Sequence, residues 1–207
     1  MAQDLELECR CKTIHGTVRG VSPKTVNRVV CYCDDCQAFL HHLGRADLLD
    51  VHGGTDIVQV APGSYSLDRG FVAVASVWLT PKGLFRWYAS CCQTPLGNTL
   101  TPSIPFIGIA RELFRDTRET KERDAIFGKA GTNAGKFAVG DPPGVSRNLD
   151  VLLVARMFKL IVGWKLRGKA WPNPFFDRET GAPRREPTTL TPAEREALRP
   201  LCGPRPA

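Results

Sequence analysis

The sequence predicts a mainly β protein that carries an α-helical C-terminal extension. Short alternating and β-branched runs, separated by Pro-Gly and Gly-containing turns, fill most of the first hundred residues. Seven of the eight cysteines fall in three tight clusters along those runs. The one long apolar helical pattern comes late, at residues 147–164. These observations divide the chain into a β domain over residues 4–118, a Gly/Pro-rich linker over 119–146 and a helical extension over 147–207.

In the first half, Leu5–Cys9 and Thr17–Val21 alternate apolar and polar residues, and Asn27–Cys31 is a short β-branched run. Asp34 and Asp35 then open a helix through Ala38, Phe39, Leu40 and His41, with Gly44 as its stop. Acidic residues suit the positive end of the helix dipole. Further strands are expected over Asp56–Ala61, Phe71–Leu79 and Leu84–Ala89, which are rich in Val, Ile, Phe, Trp and Tyr. The last two read as a hairpin that delivers Cys91 and Cys92 at its end.

In the second half, Arg111–Lys121 reads as a short charged helix. The run Ala130-Gly131-Thr132-Asn133-Ala134-Gly135-Lys136-Phe137 grazes the phosphate-loop pattern, but Phe137 stands where a hydroxyl is needed to hold magnesium. Ser146 is read as the N-cap of a helix from Arg147 to about Trp164. Leu149, Leu153, Met157, Leu160, Ile161 and Trp164 share one face, and Val151, Val154, Phe158 and Val162 line the other. Such a helix needs cover from the β domain or from a second copy of the chain, and its apolar stretch is too short for a transmembrane span. Thr191-Pro192-Ala193-Glu194 has the form of a capping box before a terminal helix reaching about Leu198.

The cysteines carry the chemistry. Cys31, Cys33 and Cys36 form C-x-C-x-x-C, a spacing that lets three thiolates reach one ion. Cys9 with Cys11 and Cys91 with Cys92 can together supply four sulfurs to a second. Zn²⁺ is the expected ion, because it favours tetrahedral sulfur ligation, and one or two are expected. A closed four-ligand site is structural, whereas three protein ligands leave a position open for chemistry. His41 and His42 follow the triad closely enough to offer a fourth ligand. Met1–Glu8 is acidic and lacks an apolar export core, so a cytoplasmic, thiol-reducing location is expected.

The net charge of +7 is uneven. Residues 1–110 hold nine basic and nine acidic side chains, and residues 111–207 hold nineteen and twelve. The C-terminal excess reads as a solvated arginine-rich surface more readily than as a nucleic-acid interface.

The cysteine order, with Gly16-Thr17-Val18-Arg19-Gly20 after the first pair and Ser90-Cys91-Cys92-Gln93-Thr94-Pro95-Leu96 after the hairpin, resembles the glutathione-dependent formaldehyde-activating enzyme family. That family shares a superfamily with centromere-protein-V-like domains. The resemblance covers about residues 5–115 and implies a β-tent, a zinc-bound fold of short hairpins. It implies a structural zinc on Cys9, Cys11 and Cys92, and a second zinc on Cys31, Cys33 and Cys36 that binds the substrate thiol. It also implies carbon–sulfur lyase activity on a thiol–aldehyde adduct such as S-hydroxymethylglutathione, with glutathione as the small-thiol partner. The chain departs from the pattern in two places. Ala89 stands where the family has a cysteine, which leaves Cys91, Cys202 or His15 to complete the first site. Lys12-Thr13-Ile14-His15 also lengthens the turn before Gly16.

If the triad is catalytic, Asp34, Asp35, His41, His42 and His52 are candidates to orient groups or relay a proton. The competing expectation is a non-catalytic zinc module that contacts a partner or nucleic acid through its basic half, hinted at by Trp164, Lys165, Arg167, Lys169 and Trp171. A homodimer through residues 147–164 is the third.

Overall fold

The computed structural model describes residues 1–115, 120–148 and 150–204. Its strands are β1 (Gln3–Glu8), β2 (His15–Val21), β3 (Asn27–Cys31), β4 (Thr55–Val60), β5 (Tyr65–Arg69), β6 (Val74–Trp78), β7 (Phe85–Ala89), β8 (Thr94–Thr99), β9 (Ile107–Ala110), β10 (Gly131–Asn133) and β11 (Thr188–Thr189). The helices are α1 (Asp34–His42), α2 (Thr120–Phe127), α3 (Val151–Leu166) and α4 (Pro192–Ala197). The fold is mainly β, built on two sheets.

The smaller sheet has the order β1-β2-β5 and the larger β10-β3-β4-β9-β8-β7-β6-β11. Pairing is antiparallel except at the two ends of the larger sheet, where β10 and β11 run parallel to their neighbours.

Strand alternation sorts side chains onto the two faces of the larger sheet. Val58, Val60, Trp87, Leu96 and Ile109 point at the smaller sheet and pack with its Leu7, Val18 and Val21. Phe175 and Phe176 close this core from the C-terminal half; the Phe175 ring stacks on Trp87 at 4.6 Å and an interplanar angle of 10°. The opposite face receives α1, whose Ala38 and Phe39 meet Val77, Leu79 and Leu190. Alternation therefore puts Arg86, one residue before Trp87, under α1.

The predicted strand at Asn27–Cys31 forms with those bounds, and the helix opened by Asp34 ends as expected before Gly44, which takes φ +64°. Other expectations need correction. Phe71–Ala73 is a 3-10 turn, so the strand expected over Phe71–Leu79 starts at Val74. Strands β5, β8 and β9 had no sequence expectation. In β8 the local signal is masked by Pro95 and Gly97: Pro95 pairs with Tyr88 beside a register shift, where a missing N–H costs the ladder little. The charged helix expected at Arg111–Lys121 is instead a 3-10 turn at Arg111–Leu113, with α2 beginning at Thr120; residues 116–119 of that expectation lie outside the described residues.

The stretch read as a linker contributes β10 to the larger sheet, beside β3. Within the near phosphate loop, Gly131–Asn133 is this strand and Gly135–Phe137 a 3-10 turn, so no helix N-terminus faces a phosphate. Asp150, not Ser146, caps α3: its Oδ1 accepts the Leu153 N–H at 3.0 Å, while Ser146 accepts from Asn148 in a local turn. Leu149 lies outside the described residues. The Thr191 capping box forms as expected, with Glu194 answering the Thr191 N–H at 2.8 Å. No helix is long and apolar enough to cross a membrane, among the described residues.

Candidate metal centre

Two cysteine groups assemble, and in each the ligand atoms lie within 4.8 Å of one another. The first joins Cys9, Cys11, Cys91 and Cys92 across 80 residues of sequence. Cys9 and Cys11 sit in the turn between β1 and β2, and Cys91 and Cys92 in the turn between β7 and β8. Each turn is tightened by a residue in the left-handed region just beyond its cysteines, Lys12 at φ +62° and Gln93 at φ +57°. Sulfur separations are 3.6 Å for Cys9–Cys11, 3.1 Å for Cys11–Cys91 and 3.9 Å for Cys91–Cys92. Tetrahedral metal–sulfur bonds of about 2.3 Å put sulfurs about 3.8 Å apart, and four sulfurs gathered this closely could hold one metal ion.

Cys91 thus joins the set that Ala89 cannot. Ala89 is fully buried in the inter-sheet core. The other two candidates are engaged elsewhere. His15 Nε2 lies 2.8 Å from the Lys12 carbonyl and 3.4 Å from Glu8. Cys202 lies 3.4 Å from the Leu198 carbonyl, beside Asp34.

The second group holds Cys31, Cys33 and Cys36. Cys31 ends β3, Cys33 is the N-cap of α1, and Cys36 stands in its first turn, its N–H 3.4 Å from Cys33 Sγ. The strand end and helix start therefore deliver all three sulfurs from six consecutive residues. No fourth Cys, His, Asp or Glu joins them among the described residues. His42 faces Glu194, and burial lowers its pKa. His52 bonds the Val139 carbonyl at 2.8 Å.

Around the triad, Asn133 Nδ2 reaches Cys31 Sγ at 3.5 Å and Arg86 Nη1 reaches Cys36 Sγ at 4.0 Å. Leu153 of α3 packs against the group. Arg86 is 1% exposed, its nearest carboxylate is Asp35 at 3.8 Å, and its Nη2 has no hydrogen-bond partner. Its guanidinium sits 5.3 Å above the Phe39 ring. A buried cation this poorly paired is costly unless negative charge stands beside it. Three thiolates around a divalent ion carry a net charge of about −1, which fits that requirement.

The thiols titrate unequally without an ion. Hydrogen bonds from Cys31 and Cys33, then the Arg86 charge, hold Cys36 well below the usual thiol range. Cys33 is pushed well above it by Cys31, Cys36 and burial. Cys31 is drawn down by Cys33 but raised more by Cys36 and burial, to about 12. In the first group, Thr13 and then Cys91 lower Cys11 to about 6, whereas burial and Cys11 raise Cys91 to about 12. Each group thus contains a thiol with a depressed pKa, Cys11 in one and Cys36 in the other, and full deprotonation calls for a cation.

Asp34 and Asp35 are both held by arginines. Arg195 of α4 bridges both, contacting Asp34 closely and Asp35 at 3.0 Å, and Arg199 adds a second close contact to Asp34. Sequence reasoning missed these arginines and Arg86. For Arg86 a signal existed: Phe85 and Trp87 flank it in a strand, so it must face opposite them.

A family profile matches residues 1–186, which is most of the chain, and its description is "Family of unknown function (DUF6151)". The chain belongs to this family. Arg195 and Arg199 lie beyond the matched residues. No curated protein matches the chain. A crystal structure of a Rhodobacter sphaeroides protein, structural-genomics target RhR83, overlays with a TM-score of 0.43 at 9% identity. It covers 62% of this chain and 99% of that one. Likeness at this level carries no argument about fold or activity.

Proposed function

We propose that this chain is a two-zinc protein of β-tent type, with Cys9, Cys11, Cys91 and Cys92 holding a structural ion and Cys31, Cys33 and Cys36 a substrate-binding one. The carrying observation is the unequal ligand count, four clustered sulfurs in one group and three in the other. The proposed activity is that of a carbon–sulfur lyase acting on a thiol–aldehyde adduct such as S-hydroxymethylglutathione. When bound at the triad, zinc supplies the positive charge that lowers the pKa of an incoming thiol.

The reaction is redox-neutral. The C–S bond breaks with its electron pair remaining on sulfur, the O–H bond becomes the second bond of the new carbonyl, and the proton ends on the released thiol. Arg86 balances the charge of the thiolate group, and Leu153 helps to exclude water from it. The Asp34 and Asp35 carboxylates, held by Arg195 and Arg199, fix the first turn of α1 and therefore Cys33 and Cys36.

The test is decay of S-hydroxymethylglutathione, followed by NMR with zinc-loaded protein. Catalysed exchange that disappears in Cys33→Ser supports the reading; a rate equal to that of buffer overturns it.

A second reading rests on α3. Val151, Leu152, Phe158, Val162 and Leu166 are between 53% and 83% exposed, which favours a partner surface or a homodimer through this helix. Nucleic-acid binding gains less support, because Trp164 is buried and Trp171 packs against the main core, away from a stacking role.

A further inference from the structure

Helix α3 is apolar on two opposite faces, and the rest of the described protein covers one of them. At about 100° per residue, Leu153, Met157, Leu160 and Trp164 share the inner face, where they are half-buried or buried. Leu153 packs against the three-cysteine group, and Leu160 and Trp164 line a groove with Val26 and Ala61. Val151, Ala155, Phe158, Val162 and Leu166 lie within about 40° of one line on the outer face. All five are exposed. A contiguous apolar stripe of this kind marks a surface that meets something.

Charge decides what it meets. Lys159 and Lys165 flank the stripe, one on each side at about 60° from Val162. Arg167 and Lys169 follow at its C-terminal end, and no Asp or Glu occurs anywhere in residues 151–176. Among the described residues, Lys159, Lys165 and Lys169 pair with no carboxylate. A second copy of the chain laid on this face would bring lysines to lysines, with no carboxylate of α3 to answer them. A bilayer containing anionic lipids supplies both partners at once. Its acyl boundary takes the apolar stripe, and its headgroups take the flanking lysines, whose stems lie along apolar surface. The 16 residues of α3 span about 24 Å, short of the roughly 30 Å hydrocarbon core, so the helix suits the interface and not a crossing.

We propose that the outer face of α3 docks this protein on the surface of a membrane rich in anionic lipids, with Phe158 and Val162 at the acyl boundary and Lys159 and Lys165 on the headgroups. This rests on the reading of α3 as a partner surface and names the partner. It is independent of the lyase reading.

The experiment measures co-sedimentation of the full chain with vesicles of phosphatidylcholine alone and of phosphatidylcholine mixed with phosphatidylserine. Three proteins are compared: wild type, Phe158→Ser with Val162→Ser, and Lys159→Gln with Lys165→Gln. Circular dichroism and metal content matching wild type show that each variant is folded. Wild type is expected on the anionic vesicles and not on the neutral ones, and added salt is expected to release it. The lysine variant should lower the partition constant by about thirtyfold, at about fivefold per charge. The apolar variant should lower it by at least about tenfold. Wild type that stays off anionic vesicles overturns the proposal. If that protein is also a dimer in sedimentation velocity, and Phe158→Ser with Val162→Ser separates it, a second copy covers the face and the interface reading of α3 stands without the membrane. Equal binding to neutral and anionic vesicles overturns the role of the lysines. Anionic binding that survives the apolar variant unchanged also overturns the proposal, as general adhesion of a basic protein.

Discussion

Replacing Arg86 by methionine tests whether the second cysteine group carries net negative charge when metal is bound. Arg86 Nη1 lies 4.0 Å from Cys36 Sγ. A zinc ion about 2.3 Å beyond that sulfur would be roughly 6 Å from the guanidinium. At an effective dielectric constant of about 20, unit opposite charges at that distance attract by about 2.7 kcal/mol, or about a hundredfold in affinity. Methionine keeps the length of the side chain and its packing on Phe39 but removes the charge. Zinc affinity of the triad, measured by competition with a chromophoric chelator, should therefore fall about a hundredfold. The four-cysteine site should keep its affinity, and Arg86→Lys should restore most of the loss. A folded Arg86→Met protein whose second site binds zinc within about threefold of wild type would refute the charge argument.

Other consequences follow from the same geometry. Stripping metal with a strong chelator should unfold the β domain, since structural zinc contributes about 10–16 kcal/mol against a typical domain stability of about 5–15 kcal/mol; circular dichroism during chelation checks this. In protein freshly stripped and not yet unfolded, Cys11 should react first with iodoacetamide near pH 7, because Thr13 and Cys91 lower its pKa to about 6 and the residue is exposed. Trp87→Ala should cost about 3–5 kcal/mol in chemical denaturation, as expected for a fully buried ring that stacks on Phe175. Arg195→Ala with Arg199→Ala should release α4 from α1 and speed proteolysis near residue 191, with the metal content of the four-cysteine site unchanged.

Local signals carried the parts of this fold that are set by local chemistry. The β-branched run Asn27–Cys31, the acidic start of α1 and the Thr191 capping box each depend on a few neighbouring residues, and each formed where expected. Strands β10 and β11 depend on partners far away in sequence, β3 and β6. Pro95 and Gly97 speak against a strand at β8, yet pairing on both sides by β7 and β9 overrides them. Asp150 prevailed over Ser146 as the cap of α3, a choice between two acceptable residues that spacing could not make.

The cysteine groups were legible because sulfurs at short spacing point to metal ligation. Joining Cys9 and Cys11 to Cys91 and Cys92 required two distant turns to meet, which sequence could suggest but not place. The neighbours of the triad were hidden for the same reason. Arg86, Thr55 and Asn133 come from three different strands, and only the sheet order brings them to Cys31 and Cys36.

The central claim is that the two cysteine groups are separate zinc sites with different ligand counts. Metal content per chain, on protein purified without added metal, tests it most directly in wild type and Cys33→Ser. The account predicts two zinc ions in wild type and one in Cys33→Ser, with the circular dichroism spectrum retained. One zinc in both proteins would contradict it, and would leave Cys31, Cys33 and Cys36 as buried thiols with no part in metal chemistry.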